Sequence, residues 1–252
     1  MYLPPQFNAQ DPALALALMR AHPFASLISN DDDGLPFVTH LPLVAESEPD
    51  GQIVVLGHCA KPNPHWRYLE ARPRAVITFV GPHAYLSPSV YPDLARVPTW
   101  NYLAVHCTVE ASLVTDPAAK DALLKKLIDA HEPAYAQQWR HLGEAFQQKM
   151  LMGIVGFALR VTDVQCKVKL NQHRQESHPA MHALYSAGTA DEQALAAWME
   201  RLGMATVATA APPPPGAAAP TGTARHQSDQ IRQDVKHSID AALQQHRMPD
   251  DK

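Results

Sequence analysis

The 252-residue sequence predicts an α+β protein, predominantly β, in which an antiparallel barrel or sandwich carries flanking helices. Three features point there. Six short runs rich in Val, Ile, Leu and aromatic residues follow one another within the first 114 residues, most of them bounded by Gly, Pro, Asn or Asp. The pairs Asp33-Gly34, Asp50-Gly51 and Gly81-Pro82 punctuate these runs as turns do. Helical signals stand before and after the runs instead of alternating with them, as a parallel sheet would require.

The first element is a helix. Asp11 offers an N-cap, Pro12 a first helical residue with preset φ, and residues 13–20 continue in good helix formers. Strands are expected at residues 25–29, 37–44, 53–59, 75–80, 84–87 and 101–114. Asp116-Pro117 repeats the capped start, and Ala122, Leu123, Leu127 and Ala130 then share one side of a helix over 118–131 that packs on the sheet. A polar stretch containing Trp139 leads to another helix around Gln147, after which residues 154–161 return to a β-type run. Leu195, Trp198, Met199 and Leu202 form the apolar face of a helix over 191–203.

Composition changes abruptly at Ala205, where ATVATAAPPPPGAAAPTGTA begins, a segment that cannot bury a core. The expected organisation is a folded domain over 1–204, an extended Pro/Ala linker over 205–227 and an amphipathic tail helix over 228–248. On that helix Ile231, Val235, Ile239 and Leu243 recur every four residues. It reads either as a marginal tail or as a docking helix for a protein partner.

Twenty-one Lys and Arg stand against 25 Asp and Glu, a net charge of −4, so no overall field draws the chain to nucleic acid or anionic lipid. Direct DNA contact would need a local basic patch. Cys59, Cys107 and Cys166 lie far apart without a CxxC, which points to reduced thiols in a cytoplasm. The start MYLPPQF lacks a basic n-region, and no stretch of about 18 apolar residues occurs, so neither export nor a membrane span is expected. GxGxxG, GxxxxGK[ST], GxSxG and HExxH are absent, which removes the signatures of a Rossmann site, a P-loop, a nucleophile elbow and a zinc protease. His22, His40, His58, His83 and His106 stand at strand ends, and His178 and His182 are spaced as a solvated i, i+4 pair without a third ligand; no metal site is expected.

Several segments combine polar groups with β context: HPFASL from His22, THLPL from Thr39, GHCAKPNPHW from Gly57, GPHAYLSP from Gly81, PTWNY from Pro98 and KVKLNQHR from Lys167. Together they offer what flavin mononucleotide needs, namely cations for a dianionic phosphate, amides for the ribityl chain and flat faces for the ring. Lys61, Lys167, Lys169 and Arg174 are phosphate candidates, Asn63, Asn101 and Gln172 supply amides, and Trp100 and Tyr102 supply faces. Each also has an ordinary reading, because strand-end Lys and Arg sit in solvent and a strand Trp usually packs in a core.

The order of MYLPPQF, RAHPFASL, THLPL, GHCAKPNPHW, GPHAYLSPSVYP, VPTWNYLAVHC and KVKLNQHR resembles the PaiB family of FMN-binding negative transcriptional regulators over about residues 1–185. The resemblance implies a six-stranded antiparallel split barrel, similar to pyridoxamine-phosphate oxidases and flavin reductases, that forms a homodimer with FMN at the subunit interface. It also implies repression of sporulation and protease genes. Carried over by position, Thr39, His40, His58, Lys61 and Asn63 face the flavin phosphate and ribityl chain, Trp100, Asn101 and Tyr102 lie beside the ring, and Lys169, Gln172 and Arg174 sit near the cofactor or the dimer seam. Val90 and Val168 stand where the family carries Trp. Three functions remain open: a regulator acting directly or through a partner, a flavin-dependent oxidoreductase or haem-handling enzyme on the same barrel, and a binding module whose tail helix recruits a protein.

Overall fold

The computed structural model describes residues 1–92 and 96–205, so the expected linker beyond Ala205 and the tail helix lie outside the described residues. The chain opens with α1 (Pro12–Ala21), whose Asp11 cap accepts from the Ala13 N–H at 2.9 Å and whose inner face buries Ala15, Leu18 and Met19. Strands β1 (Phe24–Asn30), β2 (Pro36–Pro42), β3 (Val44–Ser47) and β4 (Ile53–Ala60) follow, then α2 (His65–Ala71), β5 (Arg74–Leu86) and β6 (Thr99–Val114). Helices α3 (Pro117–His131), α4 (Tyr135–His141) and α5 (Glu144–Met152) lead to β7 (Ile154–Lys169), and α6 (His178–Ser186) and α7 (Ala190–Arg201) complete the domain.

All strands join one antiparallel sheet in the order β2-β1-β5-β6-β7-β4-β3. The sheet has seven strands instead of the expected six, and its hydrogen bonding does not close. The extra strand arises at Leu43, which splits the run expected over 37–44 into β2 and β3 at opposite edges. Leu43 is buried, and its N–H donates to Pro23 O at 2.9 Å instead of extending the ladder. Because a single residue joins the two edges, the sheet must curl until they approach one another. Pro36 and Pro42 lack the N–H a central strand donates, so β2 is suited to an edge. Helix contributes nearly as much chain as strand, so the β predominance expected from sequence does not hold.

Two expected strands, 75–80 and 84–87, are one strand, β5, whose register shifts between Val80 and His83. Gly81 sits in that bulge, where an added Cβ would come within 3.2 Å of Leu103 O. β7 runs past the expected end at Val161 to Lys169 and so carries the closing motif onto the sheet. The inner face packs Leu27, Ile77, Phe79, Leu103, Val105, Phe157 and Leu159, with Met181 and Tyr185 of α6 and Leu195 and Met199 of α7 in the same cluster. Val90 and Val168 belong to that core.

The opposite face is different. β1 and β2 contain no Asp, Glu, Lys or Arg, and none stands on β5 between Arg74 and Val80. Ile28 faces Val38 on one side and Val76 on the other, and Phe24, Val38, Val76 and Val80 are exposed. An uncharged edge strand beside an apolar face is a surface that natural sheets usually protect or cover.

Candidate functional site

The β2 edge and the β4–α2 connection meet in a polar corner. Asn63 follows Lys61-Pro62, and its side-chain carbonyl accepts the His65 N–H at 3.0 Å, an Asx turn that starts α2. The Asn63 amide then donates to Thr39 Oγ1 at 3.2 Å, and Thr39 Oγ1 lies 2.7 Å from His65 Nδ1. His65 is buried, stands T-shaped to Phe37 with ring centroids 5.2 Å apart, and leaves Nε2 without a partner; burial lowers its pKa to about 4. His58 of β4 also has a buried, unpartnered Nδ1 and a pKa lowered by burial. Lys61 is exposed, with its backbone tied at both ends: its N–H donates to Gly153 O at 2.9 Å and its carbonyl accepts the Trp66 indole at 3.0 Å. His40 is exposed and shares a hydrogen bond of 2.9 Å with Ser26 across the β1–β2 ladder.

A second group gathers at the far end of β6 and β7. Strand alternation separates the three neighbours expected together at the ring: Trp100 and Tyr102 face outward, whereas Asn101 points inward and is wholly buried against α6. Trp100 packs beside Tyr85 and His83. The Tyr102 ring has Lys167 Nζ at 5.2 Å and Lys169 Nζ at 5.9 Å from its centroid, within cation–π reach. Lys167 is buried and donates to Tyr2 O at 3.0 Å. Lys169 donates to Thr99 Oγ1 at 2.7 Å, and its pKa is lowered, chiefly by burial. Gln172 is spent on its own loop, accepting from the Leu170 N–H at 2.9 Å and donating to Val168 O. Arg174 lines a cavity of about 290 Å³ with Thr99, Asn101, Lys169 and Asn171.

The two groups are apart in one chain. Thr39 lies in register with Leu27, Ile77 and Cys107, which places Tyr102 three strands away, about 14 Å across the sheet, and five residues, about 17 Å, along it. The sequence reading missed His65, which fixes the Thr39 hydroxyl, and Thr99, which fixes Lys169; the Asn-Pro-His order at 63–65 was a usable signal for the first. The solvated pair expected of His178 and His182 is not what the fold makes: His178 is buried with Nε2 3.2 Å from Asn171 O, and His182 faces Glu200.

No helix of the described residues is long and apolar enough to cross a membrane. Residues 1–163 match the profile of the family described as "Putative FMN-binding domain". The chain is 35% identical over 182 residues to the "Protease synthase and sporulation protein PAI 2" of Bacillus subtilis, a match covering 70% of this chain and 84% of that protein. Among solved structures it is similar in fold to the flavocytochrome Anf3 of Azotobacter vinelandii (TM-score 0.53, 20% identity, 66% of this chain and 71% of that one). It is likewise similar to the FAD and heme binding protein of Mycobacterium smegmatis (TM-score 0.52, 15% identity, 64% and 73%). With the family profile spanning well over half of the sequence, the chain belongs to the PaiB-type family of FMN-binding proteins.

Proposed function

We propose that the protein binds FMN as a homodimer and acts as a PaiB-type regulator whose output passes through a partner instead of direct DNA contact. The observation that carries the flavin reading is the corner where Asn63, two residues after Lys61 at the end of β4, donates to Thr39 on the edge of β2. Lys61 supplies an exposed cation from a fixed backbone, and in the tautomer that carries its proton on Nδ1, His65 donates to Thr39 Oγ1 beside the Asn63 amide, which leaves the Thr39 O–H to donate to a phosphate. His40 and His58 border the ribityl path, and the outward rings of Trp100 and Tyr102 form an aromatic wall. The wall lies too far from the corner of its own protomer for contact, which favours a site completed by the wall of the partner subunit. The uncharged face of β1, β2 and β5 is the surface on which a second copy would sit.

Bound flavin supplies one- or two-electron transfer, and this chain contributes binding, orientation and exclusion of water. The regulatory reading is supported by the similarity to the Bacillus subtilis protein, and the net charge of −4 argues that DNA is not gripped directly. A flavin-dependent oxidoreductase is the second reading, favoured by the cavity beside the Trp100–Tyr102 segment. The purified full chain, titrated with FMN and FAD and followed by its visible absorbance, is expected to take up FMN in preference to FAD; failure to take up FMN overturns the reading. Anaerobic bleaching of the loaded protein by NADH or NADPH would move the assignment to the oxidoreductase.

A further inference from the structure

The cavity at the β6–β7 end has the makings of a site of its own. Lys169 and Arg174 both line it, and no carboxylate appears among its described lining residues. The partner that Lys169 finds, Thr99 Oγ1, is neutral and leaves the ammonium charge uncompensated, in keeping with a pKa lowered by burial. The Arg174 guanidinium makes no hydrogen bond or ion pair with a described residue. Asn101 is wholly buried and lines the cavity; one end of its amide meets Tyr185 Oη at 3.0 Å, and the other end is unpartnered. A half-turn of that amide, at the cost of its 3.2 Å contact with Met181 Sδ, lets Tyr185 donate to the carbonyl and leaves the N–H group as the unpartnered end.

The loop presenting Arg174 is held rather than slack. Asn171 sits at φ 62, a left-handed conformation that costs a non-glycine residue energy, and its amide donates to Ser177 Oγ at 3.0 Å. Ser177 Oγ in turn donates to Arg174 O at 2.8 Å, and the Arg174 N–H donates to Asn171 O at 2.9 Å. A strained loop pinned this way fixes the base of Arg174 at the cavity mouth.

We propose that this cavity is a second anion site, which takes the carboxylate or phosphate group of a small organic substrate or effector. Two partly desolvated cations with no counter-charge among the described residues, and the unpartnered end of a buried amide, are all satisfied by one oxyanion. At about 290 Å³ the cavity stands at the small end of ligand pockets, enough for a compact acid. The assignment rests on the flavin reading only in placing the FMN phosphate elsewhere, at Lys61; one FMN carries one phosphate, and Lys61 and Lys169 adjoin opposite ends of β7.

Calorimetric titration of the FMN-saturated full chain with inorganic phosphate, and separately with succinate, tests this. Both anions are expected to bind, and Arg174→Gln and Lys169→Met are each expected to weaken them roughly tenfold or more, while Arg174→Lys keeps most of the affinity. The ratio of FMN to riboflavin affinity is expected to stay unchanged in Arg174→Gln. Absence of anion binding, or binding indifferent to Arg174→Gln, overturns the proposal. Phosphate that competes with FMN, together with an FMN-to-riboflavin ratio that falls in Arg174→Gln and not in Lys61→Ala, overturns both the proposal and the placement of the flavin phosphate. Anion binding that behaves as expected while Lys61→Ala leaves that ratio unchanged sinks the placement alone.

Discussion

His65 should make the protein acid-sensitive in a defined window. The imidazole is 1% exposed, its Nε2 has no partner, and burial lowers its pKa to about 4 from the 6.5 of an unperturbed histidine. Between those values the unfolded chain binds a proton that the native chain refuses, so stability falls as pH falls. At about 1.4 kcal/mol per pH unit, the loss accumulates to about 3 kcal/mol between pH 6.5 and about pH 4; it is absent above 6.5 and levels off below 4. His65→Gln removes the titrating group. Urea unfolding of both proteins at several values between about pH 7.5 and pH 4 should show wild type losing about 3 kcal/mol more than the variant. His22, His58 and His106, whose pKa values are also lowered, contribute to both proteins and cancel in the difference. A wild-type-minus-variant difference that stays flat with pH would refute the reasoning.

Three further outcomes follow from other parts of the molecule. Gly57→Ala would set a Cβ 2.4 Å from Leu43 Cδ2 and 2.9 Å from Phe157 Cε2, so chemical denaturation should show a loss of about 1–3 kcal/mol. Val38→Lys combined with Val76→Lys places charge in the middle of the apolar sheet face; light scattering should report a dimer for wild type and a monomer for the double variant, and FMN affinity should fall with it. Trp100→Ala should weaken FMN and riboflavin alike, by about 0.5–1.5 kcal/mol in titrations of each, if the exposed indole stacks on the ring, as proposed, and not on the phosphate.

Much of the sheet was legible because its strands alternate or are bounded by Gly and Pro, and α1 and α3 announce themselves through Asp11-Pro12 and Asp116-Pro117. The seventh strand was not, since the break at Leu43 interrupts no hydrophobic pattern: Leu41, Leu43 and Ala45 stay buried across it, and only the proline at 42 marks the change of edge. The continuation of β7 past Val161 was hidden by Thr162, Asp163 and Gln165, polar residues on its outer side. α2 escaped notice because the cluster of prolines at 62 and 64 reads as loop, although Asn63 is what starts the helix. At the site, motif order picks out segments but does not say which of their side chains share a face. Period-two alternation then sends Asn101 inward and its neighbours outward, and Gln172 turns back to close a loop.

If Lys61 holds the phosphate of FMN, titration of wild type and Lys61→Ala with FMN and with riboflavin must separate the two ligands. A charge-assisted contact is worth about 1.5–3 kcal/mol, so the variant should bind FMN about ten- to a hundredfold more weakly. Riboflavin, which has no phosphate, should bind both proteins with nearly equal affinity. Equal losses for the two ligands, or no loss for either, would contradict the claim.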